Sequence, residues 1–410
     1  MTGSTPERAT FRDVFAIREF RALWLAQILS VAGDQLARVA LTVLVFNRTQ
    51  SALLTATTYA VSYLPPILGG FALAGLADRF PRRPVMVVSD VARAALVAIM
   101  AVPFVPLWTM IVLLFTVTLL ESPFKAARAA TFPDILSGDK YVLGMAVTQT
   151  TFQIGLVAGF ATGGLMVGFL GARPALAADA ATFIVSAALV QWGVRARPAA
   201  GGKAPATGQR SSQLGQAVAG ARLVFRDRTL ATTMLFGWLA AFYAVPESLA
   251  VPYAANLGGG PIAAGLVFAS MPLGTALGAI AFGRLVDPPQ RLRWIGPLAV
   301  CCCGVLVLCA LQPGLGASLL IFALAGAFGA YQLAANAAFV AALPDQQRAQ
   351  AFGLANAGML ASQGIFFVLA GAAAEFVDPA IVIAVSGALG AAVAGALATS
   401  WHRAPAVSTR

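Results

Sequence analysis

Gly75-Leu76-Ala77-Asp78-Arg79-Phe80-Pro81-Arg82-Arg83-Pro84 holds one acid and three arginines between two long apolar runs. A loop this short cannot cross a bilayer, so the runs on either side are expected to be antiparallel neighbouring spans. Its arginines mark the cytoplasmic side, and that assignment orients the whole chain.

Of 410 residues, 59% are hydrophobic and 10% are charged, against about 25% charged in soluble domains. Uncharged runs such as 94–120, 141–172, 248–283 and 294–344 exceed the roughly 20 residues of a spanning helix, and several are long enough for two. Divided at prolines, glycines and charge clusters, the chain is predicted to be an all-α membrane protein of twelve transmembrane helices. The spans fall at 21–46, 51–76, 84–102, 107–130, 141–168, 174–194, 229–256, 262–283, 294–311, 317–342, 349–376 and 379–401. With both termini cytoplasmic, 21 of the 27 lysines and arginines lie on the inner side, and only Arg48 and Arg173 lie in outer loops. The net charge of +11 therefore follows from the positive-inside bias and from attraction to anionic lipid heads, and no nucleic-acid partner is expected. A polar, acid-containing start before a full-length first span argues against a cleavable signal peptide. Cys301, Cys302, Cys303 and Cys309 share one span without histidines beside them, so they are expected to be reduced packing residues, and no metal site is expected.

The charged loop resembles the signature loop between the second and third spans of the major facilitator superfamily. Leu76, Ala77, Asp78, Arg79, Arg82 and Arg83 match it, while Ala74 stands in place of its first glycine, with Gly75 following, and Pro81 replaces its second. The resemblance implies two pseudo-symmetric six-helix bundles around a central cavity, with Gly75, Asp78, Arg79, Arg82 and Arg83 forming a cytoplasmic gate loop. Asp90 and Arg93, just inside span three, are expected to close a charge network with those arginines. Gly155, Gly159, Gly163 and Gly164 in span five resemble the glycines of the antiporter motif of drug exporters, with Phe160 where that motif has proline. Small residues at this spacing also serve close helix packing.

The organisation expected is a cytoplasmic tail at 1–20, a six-helix bundle at 21–197, a linker at 198–228, a second bundle at 229–401 and a cytoplasmic tail at 402–410. The linker is rich in Ala, Gly, Pro and Ser and ends in a short interfacial helix. The halves echo each other. Ala126-Ala127-Arg128-Ala129-Ala130 with Pro133-Asp134 recurs as Ala334-Ala335-Asn336-Ala337-Ala338 with Pro344-Asp345, and Asp34 corresponds to Glu247. Such repeats place a substrate site near the midplane at their interface.

An ionisable group at a span centre costs roughly 2.5–3.5 kcal/mol on insertion scales, so each is expected to face a partner or a cavity. Asp34 and Arg38, four apart, are expected to pair on one helix face. Glu121, Lys125 and Arg128 follow at steps of four and three and share one side of span four. Glu247 lies between Pro246 and Pro252, which are expected to break span seven. Asp179 is read as a local cap near the outer end of span six. Asp34, Glu121 and Glu247 are the candidate proton carriers, Arg38, Lys125 and Arg128 their charged neighbours, and Tyr243, Asn336 and Gln363 candidate cavity residues.

The functional expectation is a proton-coupled exporter of amphipathic small molecules such as drugs, siderophores or natural products, resembling bacterial drug:proton antiporters of the macrolide-efflux and enterobactin-exporter type. The alternative is an importer or facilitator of a specific nutrient on the same fold. The only histidine is His402 in the tail, and no nucleotide-binding glycine loop occurs, so no enzyme activity and no cofactor beyond a proton gradient are expected. The protein is expected to be a monomer in a bacterial inner membrane, with the bilayer, a small molecule and protons as its partners.

Overall fold

The computed structural model describes residues 9–73, 79–197, 222, 224–343 and 347–402. Gly75 and Asp78 of the loop, most of the linker with its expected interfacial helix, and Pro344-Asp345 of the repeat lie outside the described residues.

The described chain is built from helices. In the first half they are α1 (Phe11–Phe15), α2 (Arg18–Thr49), α3 (Ala52–Val61), α4 (Pro65–Ala72), α5 (Arg82–Ala101), α6 (Leu107–Ile135), α7 (Asp139–Leu170) and α8 (Ala172–Gly193). In the second they are α9 (Arg228–Trp238), α10 (Ala240–Tyr243), α11 (Val245–Ser248), α12 (Ala250–Asn256), α13 (Pro261–Leu285), α14 (Ile295–Gly304), α15 (Leu315–Phe328), α16 (Tyr331–Ala341), α17 (Arg348–Ala373) and α18 (Pro379–His402). Among the described residues, 11 helical runs are long and apolar enough to cross a membrane. The twelfth expected span is α3 followed by α4. Its helix breaks over Ser62, Tyr63 and Leu64 because Pro65 and Pro66 donate no N–H and push the residue before them out of the helical region.

Other breaks have equally local causes. Span seven runs as four short helices, α9 to α12, with Pro246 and Pro252 inside it. Span nine tightens into a 3-10 turn at Val305–Leu311 and ends at Gln312, whose φ of 48° is left-handed. Gly171, with φ of 88°, joins α7 to α8 directly, a conformation that a side chain would strain.

Contacts between Cα positions group the chain into two units, residues 1–40 with 65–207 and residues 41–64 with 208–410. In the first, Val14, Phe20, Leu23, Met86, Phe124 and Phe132 belong to one buried cluster. Gly155, Gly159 and Gly163 of α7 lie on α2, where an added Cβ would come within 3.3 Å of Val31 Cγ1, 2.8 Å of the Ala32 carbonyl oxygen and 3.0 Å of Leu36 Cα. Close backbone approach thus accounts for those three positions.

In the second unit α3 packs on α17, with Gly371 beneath Ala52 and Ala56. Tyr59 stacks on Phe268 at 5.5 Å and meets Phe367 edge-on at 5.6 Å. This packing explains why residues 41–64, from the first half of the sequence, cluster with the second half. All four cysteines are free thiols; Cys302, Cys303 and Cys309 are buried, and Cys302 Sγ donates to the Ala325 carbonyl at 3.1 Å.

Helices α13 and α15 show the tightest seam. An added Cβ at Gly274 or Gly278 would collide with the carbonyl oxygen of Ala323 or Ala327. Neither backbone can yield without moving a whole helix, so Gly278→Val is expected to destabilise the protein by at least about 1–3 kcal/mol. Gly283→Ala, where an added Cβ meets nothing within 4 Å, should be near neutral. Detergent-titrated unfolding of the two variants checks the contrast; equal midpoints would contradict the seam.

Glu375, in the turn after α17, accepts from Ser51 Oγ at 2.6 Å and Leu53 N at 2.8 Å, so it caps the start of α3. Those bonds favour the carboxylate and hold its pKa below the ordinary value of 4.5. A lowered pKa stabilises above the ordinary value and ceases to do so as pH falls through the folded one. We expect Glu375→Gln to lower stability at neutral pH by under about 1 kcal/mol, as befits an exposed group. The difference from wild type should shrink as pH falls below 4.5 and vanish only below the lowered folded value, which paired unfolding curves across pH will read.

Candidate functional site

In the first unit the ionisable groups converge on Arg93, whose side chain is 1% exposed. Asp90 and Arg93 are three residues apart on α5 and share a face. Arg93 Nη2 donates to Asp34 Oδ1 of α2 at 2.7 Å, and Nη1 lies 3.3 Å from Ser30 Oγ and 3.6 Å from Asp90 Oδ1. The guanidinium lies over the Phe183 ring of α8 at 4.1 Å, a cation–π contact strengthened by desolvation. Asp90 Oδ2 accepts from Ser186 Oγ of α8 at 2.6 Å. One cation therefore ties α2, α5 and α8 together.

Asp179 is the residue that sequence reasoning misplaced. Seven residues inside α8 and 1% exposed, it faces this cluster and is no cap at a helix end. Its Oδ2 has no hydrogen-bond partner, and Oδ1 lies 3.3 Å from Thr182 Oγ1, a hydroxyl that also donates to the Asp179 carbonyl at 2.8 Å. Asp34, Arg93 and Asp90 act on it electrostatically. Gly33 of α2 leaves the room, since an added Cβ would strike Asp179 Oδ1 and Thr182 Oγ1. The available signal was the neighbouring Gly33-Asp34 pair, but nothing in one sequence gives the distance between α2 and α8.

Among the described residues, the expected network of Asp90 and Arg93 with the loop arginines does not form. Arg82 pairs with Asp134 and donates to the Ala130 carbonyl at 2.7 Å, while Arg83 Nη1 reaches the carbonyls of Gln191 and Val194 at 3.4 Å. Arg79 is exposed. Asp90 is eight residues further along α5 than Arg82, about 12 Å at 1.5 Å per residue, which is too far for direct pairing. Asp34 also finds a cation 59 residues away in sequence, Arg93. Arg38, one turn on, lies in the field of both Asp34 and Glu121.

Glu121 and Lys125 pair along α6 at 2.7 Å. Glu121 is also within electrostatic reach of Arg93 and Arg38, so it borders the Arg93 cluster. Arg128 lies 6.0 Å from the Phe124 ring centre and lines a cavity of about 250 Å³ with Gln27, Tyr141, Thr148, Gln149 and Phe152. Gly164, the last glycine of the span-five motif, is buried.

The second unit holds a different arrangement. Glu247 Oε2 accepts from Tyr59 OH at 2.8 Å, with Tyr63 OH at 3.4 Å. The broken helix puts Glu247 on α11 beside α3, and Tyr243 OH accepts from Gln332 Nε2. Asn336 lines a separate cavity of about 160 Å³ with Trp238, Gln332 and Asn356. Gln363 lies half-buried on α17. An apolar recess of about 460 Å³ lies along the α3–α17 contact, lined by Ala60, Val61, Leu64, Gly364, Ile365 and Leu369 among others. Among the described residues, no group of His, Cys, Asp or Glu has the geometry to hold a metal ion.

A sequence profile described as Major Facilitator Superfamily matches residues 23–322. The chain is 25% identical over 287 residues to the uncharacterised MFS-type transporter YvqJ of Bacillus subtilis (strain 168), covering 68% of this chain and 66% of that relative. The chain thus spans just under two thirds of that relative's length. Among solved structures, a mutant of the nucleoside transporter NupG superposes with a TM-score of 0.73 at 14% identity, covering 94% of this chain and 99% of the other. An auto-inhibited POT family peptide transporter does so with a TM-score of 0.72 at 14% identity, covering 96% and 98%. At such identities these two likenesses bear on the fold alone. With 300 of its 410 residues matched by the family profile and an all-helical fold shared with solved transporters, the chain belongs to the Major Facilitator Superfamily.

Proposed function

We propose that the protein is a proton-coupled secondary transporter that exports amphipathic small molecules by alternating access, in a bacterial inner membrane with both termini cytoplasmic. The observation that carries this reading is the charge balance around Arg93. Asp34 and Asp90 both lie on its guanidinium, and Asp179 faces the same site with an oxygen that has no partner. Arg38 also acts on Asp34, so the charge without a partner on full ionisation is that of Asp179, and an unpaired buried charge costs several kcal/mol. Proton uptake removes that cost, and a change in packing that brings in water or a ligand cation returns the proton. A proton crossing the membrane releases roughly 2.3 kcal/mol per 100 mV, enough for about a fifty-fold gradient at 1.4 kcal/mol per decade.

The amphipathic substrate class is supported by the recess along the α3–α17 contact, whose lining is apolar apart from Thr57. A molecule with an apolar body can enter there from the lipid. Glu247, hydrogen-bonded to two phenols, is a second carboxylate for a cationic or polar end. Export is supported by the span-five glycines that resemble the antiporter motif, although their packing on α2 already accounts for three of them.

Two experiments follow. Proton release on ligand addition to the purified full chain, screened over lipophilic cations, macrolides and siderophores, should be seen in wild type. It should be abolished in at least one of Asp34→Asn, Glu121→Gln, Asp179→Asn and Glu247→Gln. Ligand binding with no proton change in any of these proteins would favour a facilitator and sink the coupling.

The ion pairs are tested separately by Arg93→Met, which strands Asp34 and Asp90 and should cost about 3–5 kcal/mol of stability. Adding Asp90→Asn should restore part of that loss. Unfolding midpoints for the single and double variants decide it; a single variant as stable as wild type would show that Arg93 does not neutralise the site.

A further inference from the structure

At the end of the first unit that carries Arg82 and Arg83, the starts of α2 and α5 and the ends of α6 and α8 enclose a cavity of about 620 Å³. Its lining includes Arg18, Arg83, Arg195 and Arg197, together with Glu19 and Asp134. Four guanidinium groups thus meet two carboxylates, and both carboxylates are already engaged. Glu19 accepts from Arg195 N at 2.8 Å and from Arg197 Nη2 at 2.6 Å, while Asp134 takes Arg82, which stands outside the lining.

Donors remain unused. Arg83 spends Nη1 on the last carbonyls of α8, but its Nε is buried without an acceptor, and so is Arg197 Nη1. Buried N–H groups left without acceptors are costly, on the order of 1–3 kcal/mol each. A net positive cavity with spare guanidinium donors calls for an anion with several acceptor oxygens. We propose that this cavity binds a phosphate-type anion, held by the spare N–H groups of Arg83 and Arg197 with Arg18 and Arg195 closing around it.

The depth of the cavity is set by helix ends and by Trp192, which lines it and is 77% exposed. An exposed indole at the end of a span sits at headgroup level. The phosphodiester of an anionic lipid is therefore one source of the ligand, and soluble phosphate is the other. A phosphate offers several oxygens in an arrangement that matches arginine forks, whereas a chloride ion would satisfy one donor at a time. The site stands whatever the protein carries and whether or not protons drive it.

The test uses the full chain in lipid nanodiscs and reads its thermal midpoint with bound-lipid counts from native mass spectrometry. One arm compares phosphatidylglycerol with phosphatidylcholine discs; the other adds inorganic phosphate to phosphatidylcholine discs. Wild type should be stabilised in at least one arm, with affinity weakened about tenfold or more in Arg83→Gln and in Arg197→Gln, the worth of one charge-assisted hydrogen bond. Arg173→Gln, remote from the cavity lining, should bind as wild type. A shift confined to the first arm identifies a lipid, and a shift in the second identifies a soluble anion. Should Arg83→Gln fail to fold, Arg83→Lys keeps the charge but loses the fork, and it too should bind more weakly. Midpoints unmoved in both arms, or moved equally in wild type and in every arginine variant, would overturn the site.

Discussion

A guanidinium that is 1% exposed inside a membrane bundle constrains everything packed around it. Its charge cannot be left unmatched, because the desolvation penalty of an isolated ion exceeds what surrounding apolar contacts return. Arg93 resolves this by drawing Asp34 from α2, Asp90 from its own helix and the Phe183 face from α8. The packing then follows from the charges. Ser30 and Ser186 are small polar residues where hydroxyls are needed to complete hydrogen bonds. Gly33 lacks a side chain where Asp179 and Thr182 already fill the space.

Away from the charges, helix approach is governed by small residues. Lipid tails are as apolar as leucine, so burial of leucine gives little drive for one helix to leave lipid for another, and close backbone contact must supply it. The α2–α7 seam uses Gly155, Gly159 and Gly163, and the α13–α15 seam uses Gly274, Gly278 and Gly326. The same device serves both units, so Gly155, Gly159 and Gly163 have a steric role whichever way the protein transports.

How much of this the sequence discloses depends on the range of the interaction. The spans are legible because an uncharged run of twenty residues has one reading in a membrane, and the break after Val61 is legible in Pro65-Pro66. The ionisable residues are legible as unusual, since a carboxylate in a span needs a reason. Their partners are not. Spacing suggests Arg38 for Asp34 and gives no hint that Asp34 also takes Arg93 of another helix. Nearness in sequence suggests Arg93 for the loop arginines, yet Arg82 takes Asp134 and Arg83 takes helix-end carbonyls. Local periodicity reports which face of a helix is shared; it carries no record of which helix lies opposite. Asp179 was misread for the same reason, because a carboxylate in the first half of a span looks like a cap until the neighbouring α2 is in place.

Asp34 and Glu247 occupy corresponding places in the two sequence halves, and the hydrogen bonds they accept include different donors. Asp34 accepts from a guanidinium; Glu247 accepts from phenols. Protonation acts differently on the two. A protonated Asp34 holds Arg93 more weakly, and the charge is then left to Asp90 at 3.6 Å, so the tie between α2 and α5 is loosened, with Ser30 Oγ still 3.3 Å from Arg93. A protonated Glu247 still has phenol oxygens to bond, since a tyrosine hydroxyl can accept as readily as it donates, and α3 remains beside α11. If protons drive the cycle as proposed, the step that loosens helix packing in the first unit therefore belongs to Asp34.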